Sequence, residues 1–390
     1  MNKKRWVKKR HSVVFSLLRP IFKLHFKCKY NFKSVPCEKQ VPSPALVMCN
    51  HTTTLDPFMV ATSFKRPMYF ITSDDLCTIP VISPIIRWLV AIIPKSKSKS
   101  DFNTIRYTLQ VLKEGGTVVI FPEGNRSLSG GNWVIEPSTA KFAKMCKVPL
   151  VLYNIKGGYG ADPRWGNGVR RGKMQGEVVK IIQPEQLEKM STQEIYDQIC
   201  STLISNDYNS GVKFKSKRRA EYLERAIYYC ENCGSFNTMR SEKDKLYCKI
   251  CNFKAEYTED LQLKPIDGKC LGVNVKEWFD KQKQLLLEYS QTKEGVLFGD
   301  DGVKLRLIYD GKRHKLGKAN MRAEKNGVEF SFKKDKTLNV DFESLYGSTV
   351  LGKRKINFYL SDGKTLQVKG SKRFNSIKYL HLYEIYKEGK

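Results

Sequence analysis

At 390 residues the chain is long enough for two or three domains, each burying its own core. Hydrophobic residues make up 41% and charged residues 28%, which excludes an extensively disordered chain. The formal net charge of +30 implies anionic partners: nucleic acid, acidic lipid headgroups or phosphorylated substrates. Of the eleven cysteines, four stand in paired Cys-x-x-Cys spacing. The other seven (Cys28, Cys37, Cys49, Cys77, Cys146, Cys200 and Cys270) are scattered, which suits a reducing compartment better than a disulfide framework.

Residues 1–34 open the chain with eleven Lys or Arg and no acidic residue before Lys33. Trp6, Phe15, Leu17, Leu18, Ile21, Phe22, Leu24 and Phe26 are interleaved among them. Dense charge with an apolar face predicts a helix lying on an anionic membrane, since basic arms that bind nucleic acid are blocks of nearly pure charge. No cleavable signal is expected, because no apolar run ends in small residues. The most apolar stretch, Ile79 to Pro94, is interrupted by Arg87 and is expected as a buried or interfacial helix.

Residues 35–210 alternate strand-like and helix-like segments. Apolar, often β-branched runs fall at Ala45–Cys49, Met68–Thr72, Thr117–Phe121, Pro149–Tyr153 and Val178–Ile182, with a helical pattern at Asp101–Leu112. That alternation predicts an α/β domain with a mostly parallel sheet, whose chemistry lies beyond the carboxyl ends of its strands. A helical pattern then runs from Gln183 to about Tyr229, with a capping box at Ser191–Glu194. The expected order beyond it is a helical linker over 211–229, a cysteine module over 230–255 and a helical connector over 256–291. Residues 292–390 change character. Short strands separated by Asp301-Gly302, Asp310-Gly311, Asn326-Gly327 and Asp362-Gly363 predict hairpins, and Phe374–Tyr386 reads as a closing helix. This pattern suggests a small β-barrel-like, pleckstrin-homology-like domain.

Two polar segments sit at predicted strand ends. In Asn50-His51-Thr52-Thr53-Thr54-Leu55-Asp56-Pro57-Phe58, His51 and Asp56 would lie about 140° apart in a regular helix. They can pair if His51 is in a loop and Asp56 opens the next helix, with Pro57 in its first turn. A carboxylate on one imidazole nitrogen leaves the other free to take a proton. The bland alternative is that Asp56 is an ordinary helix cap. In the second segment, Phe121-Pro122-Glu123-Gly124-Asn125-Arg126-Ser127, an Arg fork and backbone amides freed by Gly124 suit a phosphate.

Asn-His-x4-Asp followed, 72 residues after His51, by Phe-Pro-Glu-Gly-x-Arg-Ser resembles the glycerophospholipid acyltransferase family, and within it the lysophosphatidic acid acyltransferases. Two departures stand out: Asn125 occupies the position where Thr is usual, and Lys95, in Ile93-Pro94-Lys95, stands where Arg is commoner. Val148-Pro149-Leu150-Val151 corresponds to a fourth block. The resemblance implies that His51, held by Asp56, deprotonates an acceptor hydroxyl. Acyl-CoA or acyl carrier protein would then donate its acyl group to 1-acyl-glycerol-3-phosphate, giving phosphatidic acid. Lys95, Glu123, Gly124, Arg126 and Ser127 would bind that lysophospholipid acceptor, with Arg126 on its phosphate and Glu123 orienting Arg126 or the glycerol. No cofactor is implied for this step.

Cys230 and Cys233, then fourteen residues, then Cys248 and Cys251 form two knuckles suited to tetrahedral zinc. Four thiolates leave no open coordination position, so a structural zinc ribbon is expected, with iron in the same ligand set an alternative. A ribbon that binds nucleic acid would also explain the charge, yet no RNA-reading aromatic motif accompanies the basic residues, so nucleic acid is not an expected partner. The expected location is peripheral, on the cytoplasmic face of the cell membrane.

Overall fold

A computed structural model of the chain describes residues 5–37, 41–73, 88–89, 92–95, 102–333 and 335–389. The chain divides into two compact units, Met1–Arg164 with Gly168–Lys215, and Trp165–Asn167 with Ser216–Lys390.

The first unit begins with α1 (Lys9–Tyr30), followed by β1 (Phe32–Ser34), β2 (Ala45–Cys49), α2 (Asp56–Ser63), β3 (Met68–Ser73) and β4 (Ile93–Lys95). Next come α3 (Phe102–Lys113), β5 (Thr117–Ile120), α4 (Ser138–Met145), β6 (Leu150–Lys156), α5 (Gly158–Ala161) and β7 (Met174–Ile182). Two helices, α6 (Pro184–Lys189) and α7 (Thr192–Thr202), close the unit, and the Ser191–Glu194 capping box is made from both sides. Most of the expected Ile79–Pro94 helix lies outside the described residues. Its end, Ile93 and Pro94, is in strand β4 rather than helix, paired in parallel with Ile71 and Thr72 of β3.

The sheet order is β1-β7-β6-β2-β5-β3-β4, with β6 and β7 antiparallel and the other pairs parallel. All five residues of β2 are buried because it lies between β5 and β6 under helices, which is why it reads as an unbroken apolar run. Met48 of β2 pairs with Ile120 of β5, so the residues after these two strands emerge side by side. That register brings the two polar segments together. Helix α1 buries His11, Phe26 and Tyr30, and Phe22 stacks on Phe58 of α2 at 5.2 Å. Its outer side shows Val13, Leu17, Ile21 and Leu24, each about 60% exposed. No described helix is long and apolar enough to cross a membrane.

In the second unit β8 (Met239–Glu242), β9 (Lys245–Cys248), β10 (Lys254–Tyr257) and β11 (Leu263–Asp267) form an antiparallel sheet in the order β11-β10-β9-β8. Helix α8 (Val275–Thr292) leads to β12 (Phe298–Tyr309), β13 (Lys312–Glu324), β14 (Gly327–Phe332), β15 (Thr337–Asp341), β16 (Leu345–Leu351), β17 (Lys355–Leu360) and β18 (Thr365–Lys369). These strands form a second antiparallel sheet in the order β15-β14-β13-β12-β18-β17-β16. Helix α9 (Ile377–Glu388) closes the chain and is buried along most of its length.

Three expectations fail here. Residues 211–229 are not a helical linker; apart from one 3₁₀ turn at Leu223–Arg225 they are turns and extended chain. Their amides bond elsewhere: Ala220 to the carbonyl of Lys243, Leu223 to Ser241 Oγ, and Tyr228 to the buried Gln282 amide oxygen. Nor is 256–291 helical throughout, because a turn in which Thr258 N donates to Gln262 O folds β11 back onto β10, and α8 begins only at Val275. Asp301-Gly302 is no hairpin turn but a bulge inside β12, where Gly302 takes φ +65°.

Asn50 ends β2 with a two-way bond. Its Nδ2 donates to Ile155 O at 2.9 Å, and Ile155 N donates to its Oδ1 at 2.8 Å, all of it buried. Asn50→Ala strands both backbone groups, at about 1–3 kcal/mol each. Urea denaturation should show a loss of about 2–5 kcal/mol, and an unchanged midpoint would mean the clamp is dispensable.

Candidate active site

His51 follows Asn50 at the end of β2, and Asp56 is the first residue of α2 with Pro57 behind it. His51 Nδ1 lies 2.9 Å from Asp56 Oδ2. The same carboxylate accepts Thr52 N at 2.6 Å, Thr53 N at 2.8 Å and Thr53 Oγ1 at 2.6 Å, and it is fully buried. A carboxylate that only accepts requires Nδ1 to carry the ring proton, which leaves the Nε2 lone pair bare. Among the described residues nothing bonds Nε2. The ring stacks on Phe121 with centroids 4.4 Å apart. Burial pulls the His51 pKa below its usual value, against the hydrogen bond and charge of Asp56, with Arg126 and Arg164 lowering it further. The imidazole is therefore neutral at pH 7 and able to accept a proton.

The second segment leaves β5 next to it. Glu123 is buried and its carboxylate accepts His51 N at 2.9 Å, Asn132 Nδ2 at 3.1 Å and Trp133 N at 2.9 Å. Burial pushes its pKa up to about 7, opposed by those three donors. Ser127 N in turn donates to His51 O at 2.9 Å, so the two loops are bonded in both directions.

Three expected roles change. In place of a contact with Arg126, Glu123 holds the backbone of the histidine loop. The Ser127 hydroxyl is occupied within its own turn, donating to Gly131 O and accepting from Gly130 N. Gly124 does not free its amide: at φ +65° its N–H closes a turn onto Phe121 O. Lys95 lies exposed at the end of β4. Arg126 has a half-buried guanidinium that bonds no described residue, and burial lowers its pKa despite the nearby Asp162 and Asp56.

Arg164 is the residue the sequence did not reveal. It is fully buried and donates from one guanidinium nitrogen to Asn125 Oδ1 at 2.9 Å and to Arg126 O at 3.0 Å. Burial, reinforced by the charge of Arg126, drives its pKa well down. Asn125, at the position where Thr is usual, offers the amide oxygen this contact uses. A lone Arg in Asp162-Pro163-Arg164-Trp165 gives no sign of returning to a loop nearly forty residues earlier.

In the second unit the sulfurs of Cys230, Cys233, Cys248 and Cys251 all lie within 4.8 Å of one another. Two of the separations are 3.7 Å. Tetrahedral zinc with Zn–S bonds of about 2.3 Å sets its sulfurs about 3.8 Å apart, so the four thiols fit such an ion.

Residues 34–156, which contain both loops, match the sequence profile of the family described as Acyltransferase. The 1-acyl-sn-glycerol-3-phosphate acyltransferase of Borreliella burgdorferi is 24% identical over 41% of this chain and 66% of its own length. A probable 1-acyl-sn-glycerol-3-phosphate acyltransferase of Mycoplasma genitalium is 25% identical over 44% of this chain and 69% of its own length. The chain thus spans about two thirds of these relatives. The crystal structure of the 1-acyl-sn-glycerophosphate acyltransferase PlsC of Thermotoga maritima aligns with half of this chain and 79% of its own, with a TM-score of 0.41 and 20% identity.

Arg164→Lys keeps the charge but loses the planar fork, and should cost about 1.5–3 kcal/mol in chemical denaturation. An unchanged midpoint would show that the Asn125 contact does not hold the loop.

Proposed function

We propose that the chain transfers a fatty acyl group from acyl-CoA or acyl carrier protein to the free hydroxyl of 1-acyl-glycerol-3-phosphate, forming phosphatidic acid. The observation that carries this reading is a neutral histidine whose Nδ1–H is held by Asp56 and whose Nε2 bonds no described residue, beside the Arg126 guanidinium, which bonds none of the described carboxylates. His51 Nε2 takes the proton of the acceptor hydroxyl as its oxygen attacks the thioester carbonyl. The tetrahedral intermediate collapses, the carbon–sulfur bond breaks, and the imidazolium returns the proton to the leaving thiolate. Every proton is accounted for without a covalent acyl-enzyme. Arg126 holds the acceptor phosphate, so the hydroxyl is presented to His51 rather than found by diffusion.

Acceptor and product are bilayer lipids, and the exposed Val13, Leu17, Ile21 and Leu24 of α1, among its lysines, suit a peripheral seat on the cytoplasmic face of the cell membrane. Cys230, Cys233, Cys248 and Cys251 would hold a structural zinc, which ties the two knuckles together and takes no part in acyl transfer.

Acyl transfer from a radiolabelled thioester to lysophosphatidic acid tests the reading. His51→Ala should abolish turnover in a folded protein. Arg126→Ala should raise the KM for the phosphate-bearing acceptor roughly tenfold or more while sparing that for the thioester. Because the base works deprotonated and its pKa is lowered, kcat/KM should fall only below pH 6.5. Turnover surviving in His51→Ala, or an acid limb above pH 6.5, would contradict the mechanism.

A further inference from the structure

The C-terminal sheet carries an arrangement that strand pairing ordinarily avoids. Lys304 of β12 pairs directly with Lys318 of β13 on one side and with Lys369 of β18 on the other. Lys369 pairs in turn with Lys355 of β17. At a strand spacing of about 4.8 Å, four lysines in register cross the sheet within about 15 Å. The neighbouring row continues it, since Arg306 of β12 pairs with Lys315 of β13. Lys304 and Arg306 are exposed while Val303 and Leu305 are buried, so these cations share the face turned from the core.

Like charges directly opposite each other destabilise a sheet. Among the described residues no ion pair relieves Lys304, Arg306, Lys315, Lys318 or Lys369; the described ion pairs of this sheet are Arg322–Asp301, Lys378–Asp300 and Lys364–Asp362. Arg354, Lys304 and Arg306 together depress the Lys369 ammonium below its usual pKa, with Arg354 the largest influence. Solubility alone needs no such alignment, because scattered lysines serve it equally well.

One further feature chooses the partner. The bulge in β13 leaves Leu316 unpaired between Lys315 and Gly317, and its side chain is 41% exposed. An aliphatic side chain among cations suits the headgroup boundary of a bilayer. A nucleic-acid strand would call for exposed aromatic platforms. The exposed aromatic of this sheet among the described residues is Tyr346 on β16, at the far edge from β13.

We propose that the cross-strand row Lys318–Lys304–Lys369, with Arg306 and Lys315 beside it and Leu316 at its rim, is a docking surface for an anionic lipid bilayer. It gives the second unit a membrane contact of its own, chiefly electrostatic in character, where that of α1 adds an exposed apolar face to its charge. The inference rests on the proposed lipid reaction only for its setting, and its test does not require turnover.

The full-length chain would be co-sedimented with phosphatidylcholine vesicles, with and without phosphatidylglycerol, at low and high salt. Lys304→Gln, Lys318→Gln and Lys369→Gln combined should weaken binding to the anionic vesicles at low salt on the order of a hundredfold, as three cations lost near an anionic surface predict. Binding to pure phosphatidylcholine and turnover of a short-chain, water-soluble acceptor should not change. The triple variant's melting temperature should match or exceed that of the parent, since only repulsion is removed. Leu17→Gln with Ile21→Gln should do the reverse, removing the salt-resistant binding and sparing the salt-sensitive part. Wild-type affinity of the triple variant for anionic vesicles would overturn the proposal. So would tighter binding of an oligonucleotide than of vesicles that the three substitutions abolish. A parent chain with no acyl transfer whose vesicle binding still follows the row would defeat the proposed reaction and leave the docking surface standing.

Discussion

The Asp56 carboxylate is buried at the start of a helix and accepts four donors: two backbone amides, one hydroxyl and one imidazole. A buried carboxylate is costly unless its lone pairs are filled, and here they are filled by the residues between it and His51. The loop has little freedom left. Thr52 and Thr53 must turn their amides inward, and His51 must present Nδ1. Asn50 pins the start of the loop to β6, Pro57 sits in the first turn of α2, and Glu123 takes the His51 amide from the neighbouring loop. The direction of Nε2 is the product of these constraints.

The arginine side of the site is organised by surplus positive charge. Arg164 is buried and bonded to the Phe121–Ser127 loop, while the Arg126 guanidinium beside it bonds none of the described carboxylates. The Arg126 guanidinium disfavours the charge of Arg164, and both work against protonation of His51. An anionic acceptor would relieve that repulsion where the base needs its hydroxyl. The same logic, at the surface and in another unit, underlies the lysine row of the C-terminal sheet.

Much of this was legible in the sequence because it is local or periodic. The buried run Ala45–Cys49 announces a central parallel strand, and the spacing of His51, Asp56 and Pro57 anticipates a loop feeding a helix start. The four cysteines converge as their spacing implies. What escaped is set by distant partners. Residues 211–229 have helical composition, but their amides find Lys243, Ser241 and Gln282 instead of their own carbonyls. Asp301-Gly302 has hairpin chemistry, yet the chain continues through it as a bulge. Ser127 and Glu123 are polar at a strand end, and only the fold shows them spent on neighbouring backbone. Arg164 has no periodicity to betray it, and the lysine row appears only once strand register is known.

The account depends on the state of one ring, which nitrogen NMR of histidine-labelled protein reads directly. The chain holds five histidines, so a His51→Gln spectrum assigns the signal. At pH 7 the account predicts a neutral His51 with Nδ1 protonated and Nε2 bare, and loss of that single tautomer in Asp56→Asn. An imidazolium at pH 7, or a ring protonated on Nε2, would contradict it.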